Sequence, residues 1–288
     1  MIMPYDVDFI PSYRIRMPLM SEELMSVSYG AGATIDHEKF SIYFHQGRHL
    51  AIMSAYNVDG STMIPAGTIE RKSFVYDPSL PSRIQIDNDE GYRNNPWDRG
   101  HLARRRALQW GDLASAEKAD RESSYWSNIA PQHEGLHDSA WGRIEDWLLD
   151  LVGTNQKRMS VFVGPVFTPH DPQIVNIVGQ KPVRIPAGYW KVAALNVNGR
   201  LRAAAFITWQ RDHASANPVE FDPVLEQVRL TTVEYLTGLS FSDLTLSDPL
   251  RFGDNEHAPE SELAESSSTS SRPNHGTRVI SRREDLRL

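Results

Sequence analysis

Two apolar runs meet at Asn198-Gly199, with Tyr189 to Val197 before the dipeptide and Arg202 to Trp209 after it. Asn-Gly accepts the positive φ that both positions of a two-residue hairpin turn require. The spacing predicts an antiparallel strand pair, and a chain with such a pair builds an antiparallel sheet around it. Other runs extend that sheet. Phe40-Ser41-Ile42-Tyr43-Phe44 reads as one strand and His49 to Val58 as a second, with Gln46-Gly47-Arg48 as the bend between them. Ser160 to Gly164 reads as a short buried strand, and Trp97 to His101 as a strand end.

Helical spacing interrupts the strands. Trp141, Ile144, Leu148 and Leu151 recur on one face, with Arg143, Asp146 and Asp150 off it, and Asp138 or Ser139 stands where a cap belongs. Residues 113–126 are polar and Ala-rich and read as a helix. Residues 222–237 read as another, with Val224, Val228 and Leu236 inward and Gly238 as its stop. Strands, then helices, then strands argue for an α+β fold with a mostly antiparallel sheet. Residues 61–96, rich in Pro, Gly, Asn and Asp, read as one long loop, and loops of that length tend to be functional or mobile.

The two ends differ from this middle. Residues 1–27 have no clean period and read as an arm, a docking segment. Residues 254–265 hold five acids and no Lys or Arg, residues 266–271 are nearly all serine, and residues 272–288 hold five arginines. So little apolar surface cannot offset the entropy of ordering, and 253–288 is predicted to be a disordered polar tail beyond a domain at 28–252. Asp6, Asp8, Glu22 and Glu23 stand where a signal peptide has a basic and then an apolar region, and no apolar stretch is long enough to span a membrane. The expectation is a soluble, cytoplasmic protein without a membrane partner, with non-classical secretion left open. There are no cysteines, so disulfides and Cys-zinc sites are excluded. A net charge of -7 counts mildly against a non-specific nucleic-acid binder, although a local basic groove suffices at physiological salt.

The chemistry is concentrated in two clusters. Trp97-Asp98-Arg99-Gly100-His101 places an acid, a cation, a flexible backbone position and an imidazole side by side. Ser127-Asn128-Ile129-Ala130-Pro131-Gln132 follows, and then His137, Trp141 and Glu145. A base, cations, amides and a metal-ligand candidate together suit the cutting of a phosphodiester.

These clusters resemble those of the DNA/RNA non-specific endonuclease family, which includes secreted bacterial sugar-non-specific nucleases and mitochondrial endonuclease G. The likeness extends to Ala55-Tyr56-Asn57-Val58-Asp59-Gly60, Trp141-Gly142-Arg143-Ile144-Glu145, Val163-Gly164-Pro165-Val166-Phe167, Pro186 to Val192 and Thr237 to Phe241, all in order. It covers roughly residues 28–250. The resemblance implies a central antiparallel sheet flanked by helices and a ββα-metal motif. It also implies a divalent ion, Mg²⁺ or Mn²⁺, and cleavage of both DNA and RNA to 5′-phosphate products.

Residue by residue, the resemblance makes His101 the base that activates water. A reference pKa of about 6.5 suits it to that role, and general-base help is worth on the order of 100- to 10,000-fold. The alternative is a hydrogen-bonded structural histidine. Arg99 is expected to neutralise the scissile phosphate, its fork matching two oxygens; the alternative is a salt bridge to Asp87, Asp89 or Glu90. A further family cation precedes an Asp-Pro pair, here Asp77-Pro78, which leaves Arg71 and Lys72 both open. Asp98 is read as orienting the loop or pairing with a neighbour rather than coordinating metal, and Gly100 as permitting a tight turn. Asn128 is expected to support the site through loop backbone.

The family's metal-binding asparagine, nine residues after Asn128, is replaced here by His137. Imidazole suits transition ions better than magnesium, so Mn²⁺, Ni²⁺ or Co²⁺ is expected to serve better than Mg²⁺. The competing readings of His137 are support for the ligand shell and a core histidine beside Trp141; His133 is a weaker ligand candidate. Glu145 matches a glutamate that holds metal-bound waters, with an ordinary exposed helix acid as alternative. Leu149 stands where the family has a further arginine. Arg104 and Arg105, in the run after His101, are expected either to line a nucleic-acid groove or to form a solvated face.

The reading is therefore a metal-dependent endonuclease acting on DNA and RNA. A regulatory or inhibitory protein partner, a role as defence or toxin effector, and a homodimer are further expectations. A catalytically degenerate nucleic-acid-binding or regulatory module is the competing class.

Overall fold

The computed structural model describes residues 2–137, 140–175, 182–210, 223–251 and 277–288, with 137 and 140 described by backbone alone. Strand β1 (Leu19–Met20) leads into α1 (Glu22–Val27), capped by Ser21 on the Leu24 amide. Then come β2 (Ile35–His37), β3 (Phe40–His45) and β4 (Leu50–Asp59). The long loop holds a 3-10 turn (Ser82–Ile84) and one short α-helix, α2 (Asn88–Gly91). It gives way to β5 (Trp97–His101), α3 (Leu113–Ser123), β6 (Ile129–His133), α4 (Glu134–His137) and α5 (Ala140–Thr154). Next are β7 (Arg158–Val166), the small pair β8 (Gln173–Ile174) and β9 (Val183–Arg184), then β10 (Gly188–Val197) and β11 (Arg200–Trp209). The chain ends in β12 (Leu225–Val228), α6 (Leu230–Thr237), β13 (Leu239–Ser240) and β14 (Thr277–Val279).

Eight strands form one sheet in the order β14-β12-β11-β10-β7-β4-β3-β2, each pairing antiparallel. The expected hairpin is there: Asn198 and Gly199 take φ of +52° and +79°, and Val197 pairs with Arg200. Both faces are buried, which is why β4 and β10 read as nearly continuous apolar runs. On one face Tyr56, Val161, Tyr189, Ala193 and Phe206 pack with α5, β5 and β6. On the other, Phe162, Trp190, Val192 and Ala205 pack with α6 and the N-terminal arm.

The arm packs on the sheet. Tyr5, Phe9, Ile10 and Ile15 are buried, and the Tyr5 ring lies 5.3 Å from Phe162. Single apolar anchors between prolines carry this packing, so no period marks it. In α5, Trp141, Ile144, Leu148 and Val152 are buried against the sheet, the three aliphatics contributing about 1.5–3 kcal/mol each. Leu151, expected inward, is only partly buried. The caps Asp138 and Ser139 lie outside the described residues.

Two expectations are corrected. Residues 225–228 are strand, and the helix begins only at Leu230. Leu225, Gln227 and Val228 are buried where they pair with β11, so the free sheet edge overrides local helical spacing, and Val224 points outward at 51% exposure. Gly238 does end the helix, in the left-handed region at φ +70°. The second correction concerns the tail. Its residues 253–276 lie outside the described residues, but 277–288 are placed: β14 pairs with β12, Ile280 is buried, and Leu286 and Leu288 pack against the core. Three well-spaced apolar residues beside an open edge were enough. No helix among the described residues is long and apolar enough to cross a membrane.

Candidate active site

Strands β5 and β6 pair in a small sheet of their own, Trp97 opposite His133 and His101 opposite Ile129. Strand β6 runs directly into α4 and α5, giving two strands and a helix as one unit. The Glu134 amide donates to the Pro96 carbonyl at 3.1 Å and ties α4 to the start of β5. Gly100 does not make the expected tight turn. It lies inside β5, and a Cβ there would stand 2.1 Å from Gln132 Cδ. Close cross-strand approach, rather than a special φ, calls for glycine.

Half-buried His101 ends β5, and its ring centre lies 5.5 Å from that of Phe74. The same Phe74 ring lies 5.0 Å from Arg99 Cζ and 5.8 Å from Arg71 Cζ. Phe74 stacks on Trp126 at 5.2 Å, and Trp126 stacks on Tyr92 at 5.7 Å. An aromatic column thus rises from the core and ends where two arginines and the histidine meet. Lys72 instead lies 3.9 Å from Glu70. Arg71, and not Lys72, therefore shares the Phe74 ring with Arg99 and His101.

The acids that would compete for Arg99 are engaged elsewhere. Asp89 pairs with Arg93, while Asp87 and Glu90 close the capping box of α2. Arg99 donates to neutral Asn88 Oδ1 at 3.3 Å.

Behind these groups, buried polar side chains fix the loops. Asn128 is fully buried. Its Oδ1 accepts from Ser54 Oγ and the Ala103 amide, both at 2.9 Å, and its Nδ2 donates to the carbonyls of Ala103 and Ser123. Every site on the amide is used, so Asn128 positions the chain after His101 and has no atom left for substrate. Asp77 is buried, 3.0 Å from His37 Nε2, and accepts from Ser127 Oγ at 2.6 Å. Burial alone would raise its pKa; hydrogen bonds from His37, Ser127 and the Ser79 amide outweigh that and hold it below the usual carboxylate value.

Glu145 is not an exposed helix acid. Its Oε1 accepts from Lys191 Nζ at 2.5 Å, and its Oε2 lies 3.4 Å from Arg104 Nε. Lys191 was not anticipated, although a lone lysine within the apolar run of β10 signals a buried partner. Burial holds its pKa below the usual lysine value in spite of Glu145. Burial also opposes the charge of Arg104, but Glu145 and Asp146 outweigh it and raise that pKa.

Arg104 and Arg105, expected to line a groove or form a solvated face, both have acidic partners. Arg104 donates to Asp146 at 2.7 Å, and Arg105 pairs with buried Asp120 and donates to the Ile69 carbonyl. Carboxylates therefore hold both guanidiniums, buried Glu145 and exposed Asp146 for Arg104 and buried Asp120 for Arg105. His133 is a core residue whose Nδ1 accepts from the Gly135 amide at 3.2 Å. His137 closes α4, which lies against β5; its side chain is outside the described residues. Phe74 also went unread in the sequence, since an aromatic in a long irregular loop has no period to declare its neighbours.

Residues 20–248 match the family model for DNA/RNA non-specific endonucleases. The chain belongs to that family. Among its relatives, the uncharacterised protein y4fB of Sinorhizobium fredii is 29% identical over 273 residues, 84% of this chain and 39% of that protein. Mitochondrial endonuclease G of Bos taurus is 28% identical over 157 residues, 52% of this chain and 49% of its own. A nuclease of Serratia marcescens is 31% identical over 140 residues, 47% and 48% of the two chains. This endonuclease-family chain thus spans about half or less of the length of these curated relatives. The solved complex of EndoG with EndoGI shares the fold, with a TM-score of 0.56 at 20% identity, covering 77% of this chain and 90% of that one.

Among the described residues, no three His, Asp or Glu side chains converge to cage a metal ion.

Proposed function

We propose that this chain is a divalent-metal-dependent endonuclease that hydrolyses phosphodiester bonds of DNA and RNA to 5′-phosphate products. The observation that supports it best is the convergence of Arg71, Arg99 and His101 on the Phe74 ring. In this reading His101 takes a proton from water. The water oxygen bonds to phosphorus as the bond from phosphorus to the 3′-oxygen breaks. Arg99 and Arg71 offset the charge that builds on the phosphoryl oxygens. A divalent ion held through His137 would supply Lewis-acid stabilisation of the leaving oxygen. Because imidazole favours transition ions, Mn²⁺, Ni²⁺ or Co²⁺ is proposed to outperform Mg²⁺. Asn128, Glu145 and Lys191 hold the frame.

The deciding experiment compares wild type and His101→Ala on plasmid DNA and on RNA, across a metal series and with EDTA. A loss on the order of 100- to 10,000-fold is expected for the variant. Wild-type cutting by His101→Ala would remove His101 as base. No cutting by wild type under any metal would favour a binding module. Restraint by a protein partner is part of the proposal, because EndoG in the solved structure is in complex with EndoGI. Purified full-length protein that cuts without any trigger would exclude that restraint.

A further inference from the structure

Lys191 sits in β10 between Trp190 and Val192 and is 1% exposed. Its Nζ bonds Glu145 at 2.5 Å and lies 4.6 Å from the Trp141 ring centre. The other Glu145 oxygen faces Arg104, three residues after His101. Arg104 in turn holds Asp146, the next residue of α5. One unbroken set of contacts therefore joins the central sheet, the helix of the ββα unit and the strand end that carries the base. An apolar side chain of similar length would fill the Lys191 site without the desolvation cost of an ammonium. What it would not do is direct a carboxylate.

We propose that Lys191 is a positioning residue: it holds Glu145, and through Glu145 and Arg104 it sets the spacing between α5 and His101. The inference rests on the nuclease reading above. It is tested with wild type, Lys191→Met, Glu145→Gln and the double variant, measuring Tm, kcat and KM on DNA with Mn²⁺, the kinetics well below each variant's own Tm. Both single variants are expected to lose about 10- to 100-fold in kcat with KM little changed. Lys191→Met also lowers Tm, because it leaves a buried carboxylate short of a partner. The double variant, with both charges gone, recovers Tm. Its kcat nevertheless stays near that of the lower single variant, since the two residues act as one unit. A purely structural lysine would return activity together with Tm.

Wild-type kcat in Lys191→Met overturns the proposal. So do kcat losses that multiply in the double variant. If Lys191→Met does not fold, the double variant decides by the same criterion: recovered Tm with low kcat supports the proposal, and recovered Tm with wild-type kcat overturns it. If wild type cuts nothing, the nuclease reading fails by itself. The Tm values then decide the pairing: losses that simply add overturn it, and recovery in the double variant upholds it.

Discussion

At the scale of single residues, a neutral ring organises the charges. Phe74 gives Arg71 and Arg99 a common surface, and a guanidinium over an aromatic face keeps its charge while losing some of its freedom. Arg71→Ala is expected to lower kcat/KM on the order of 100-fold, as removal of a phosphate-facing donor does. Lys72→Ala, at a surface pair with Glu70, should stay within about twofold. Equal losses in steady-state kinetics would reject this assignment of the upstream cation. Asp77 ties the same loop to Ser127 and His37, and its pKa is lower in the folded chain than the ordinary value of about 3.9. The unfolded chain therefore takes up the proton more readily. The stabilisation is complete above that ordinary value and is lost as pH falls through the lower folded one. Asp77→Asn should unfold at lower temperature than wild type near neutrality, with the gap closing on acidification below about pH 4. A gap in Tm that holds constant into acid would show that this carboxylate carries no proton-linked stability.

At the scale of elements, the pairing of β5 with β6 sets the distance between His101 and the helix. Gly100→Ala must displace the buried Gln132 side chain, at a cost of about 1–3 kcal/mol. A Tm lower by several degrees is expected, together with reduced kcat, because β5 carries Arg99 and His101. The Gln132 amide has no hydrogen-bond partner among the described residues, so Gly100→Ala/Gln132→Ala should regain most of the lost Tm. If the second substitution brings no recovery, crowding is not what keeps glycine there. Elements were legible in the sequence where their spacing stood alone, as in α5 with Trp141, Ile144 and Leu148, or the hairpin at Asn198-Gly199. They were misread where a distant edge decided the outcome: the segment Leu225–Val228 has helical spacing, yet β11 offered unpaired backbone groups. The site divided the same way. His101, Arg99 and Asn128 stand in contiguous runs and could be named, whereas Phe74 and Lys191 reach their partners only through the tertiary fold.

At the scale of the whole molecule, the sheet separates its two ends from one another. The arm anchors Tyr5, Phe9 and Ile15 on the face opposite the one that carries β5, β6 and α5. It therefore supports the site from behind and is not a cover over it. The net charge of -7 sets the remaining constraint on the proposed reading, in which nucleic acid must approach an acidic protein. With Arg104 held by Glu145 and Asp146 and Arg105 by Asp120, phosphate contact falls, on the proposed reading, to Arg71 and Arg99. Each neutralised duplex phosphate contributes about -0.9 to the slope of log affinity against log salt. Two contacts give a slope near -2, and thus roughly a tenfold loss of affinity between about 50 and 200 mM salt. Fluorescence anisotropy of the His101→Ala variant on duplex DNA in EDTA, read across that range, measures the slope. A value steeper than about -5 would mean that several more cations reach the backbone, and Arg104→Ala and Arg105→Ala would then each flatten it by about one. A slope near -2 that neither substitution changes would confine the grip on substrate to the two arginines at Phe74.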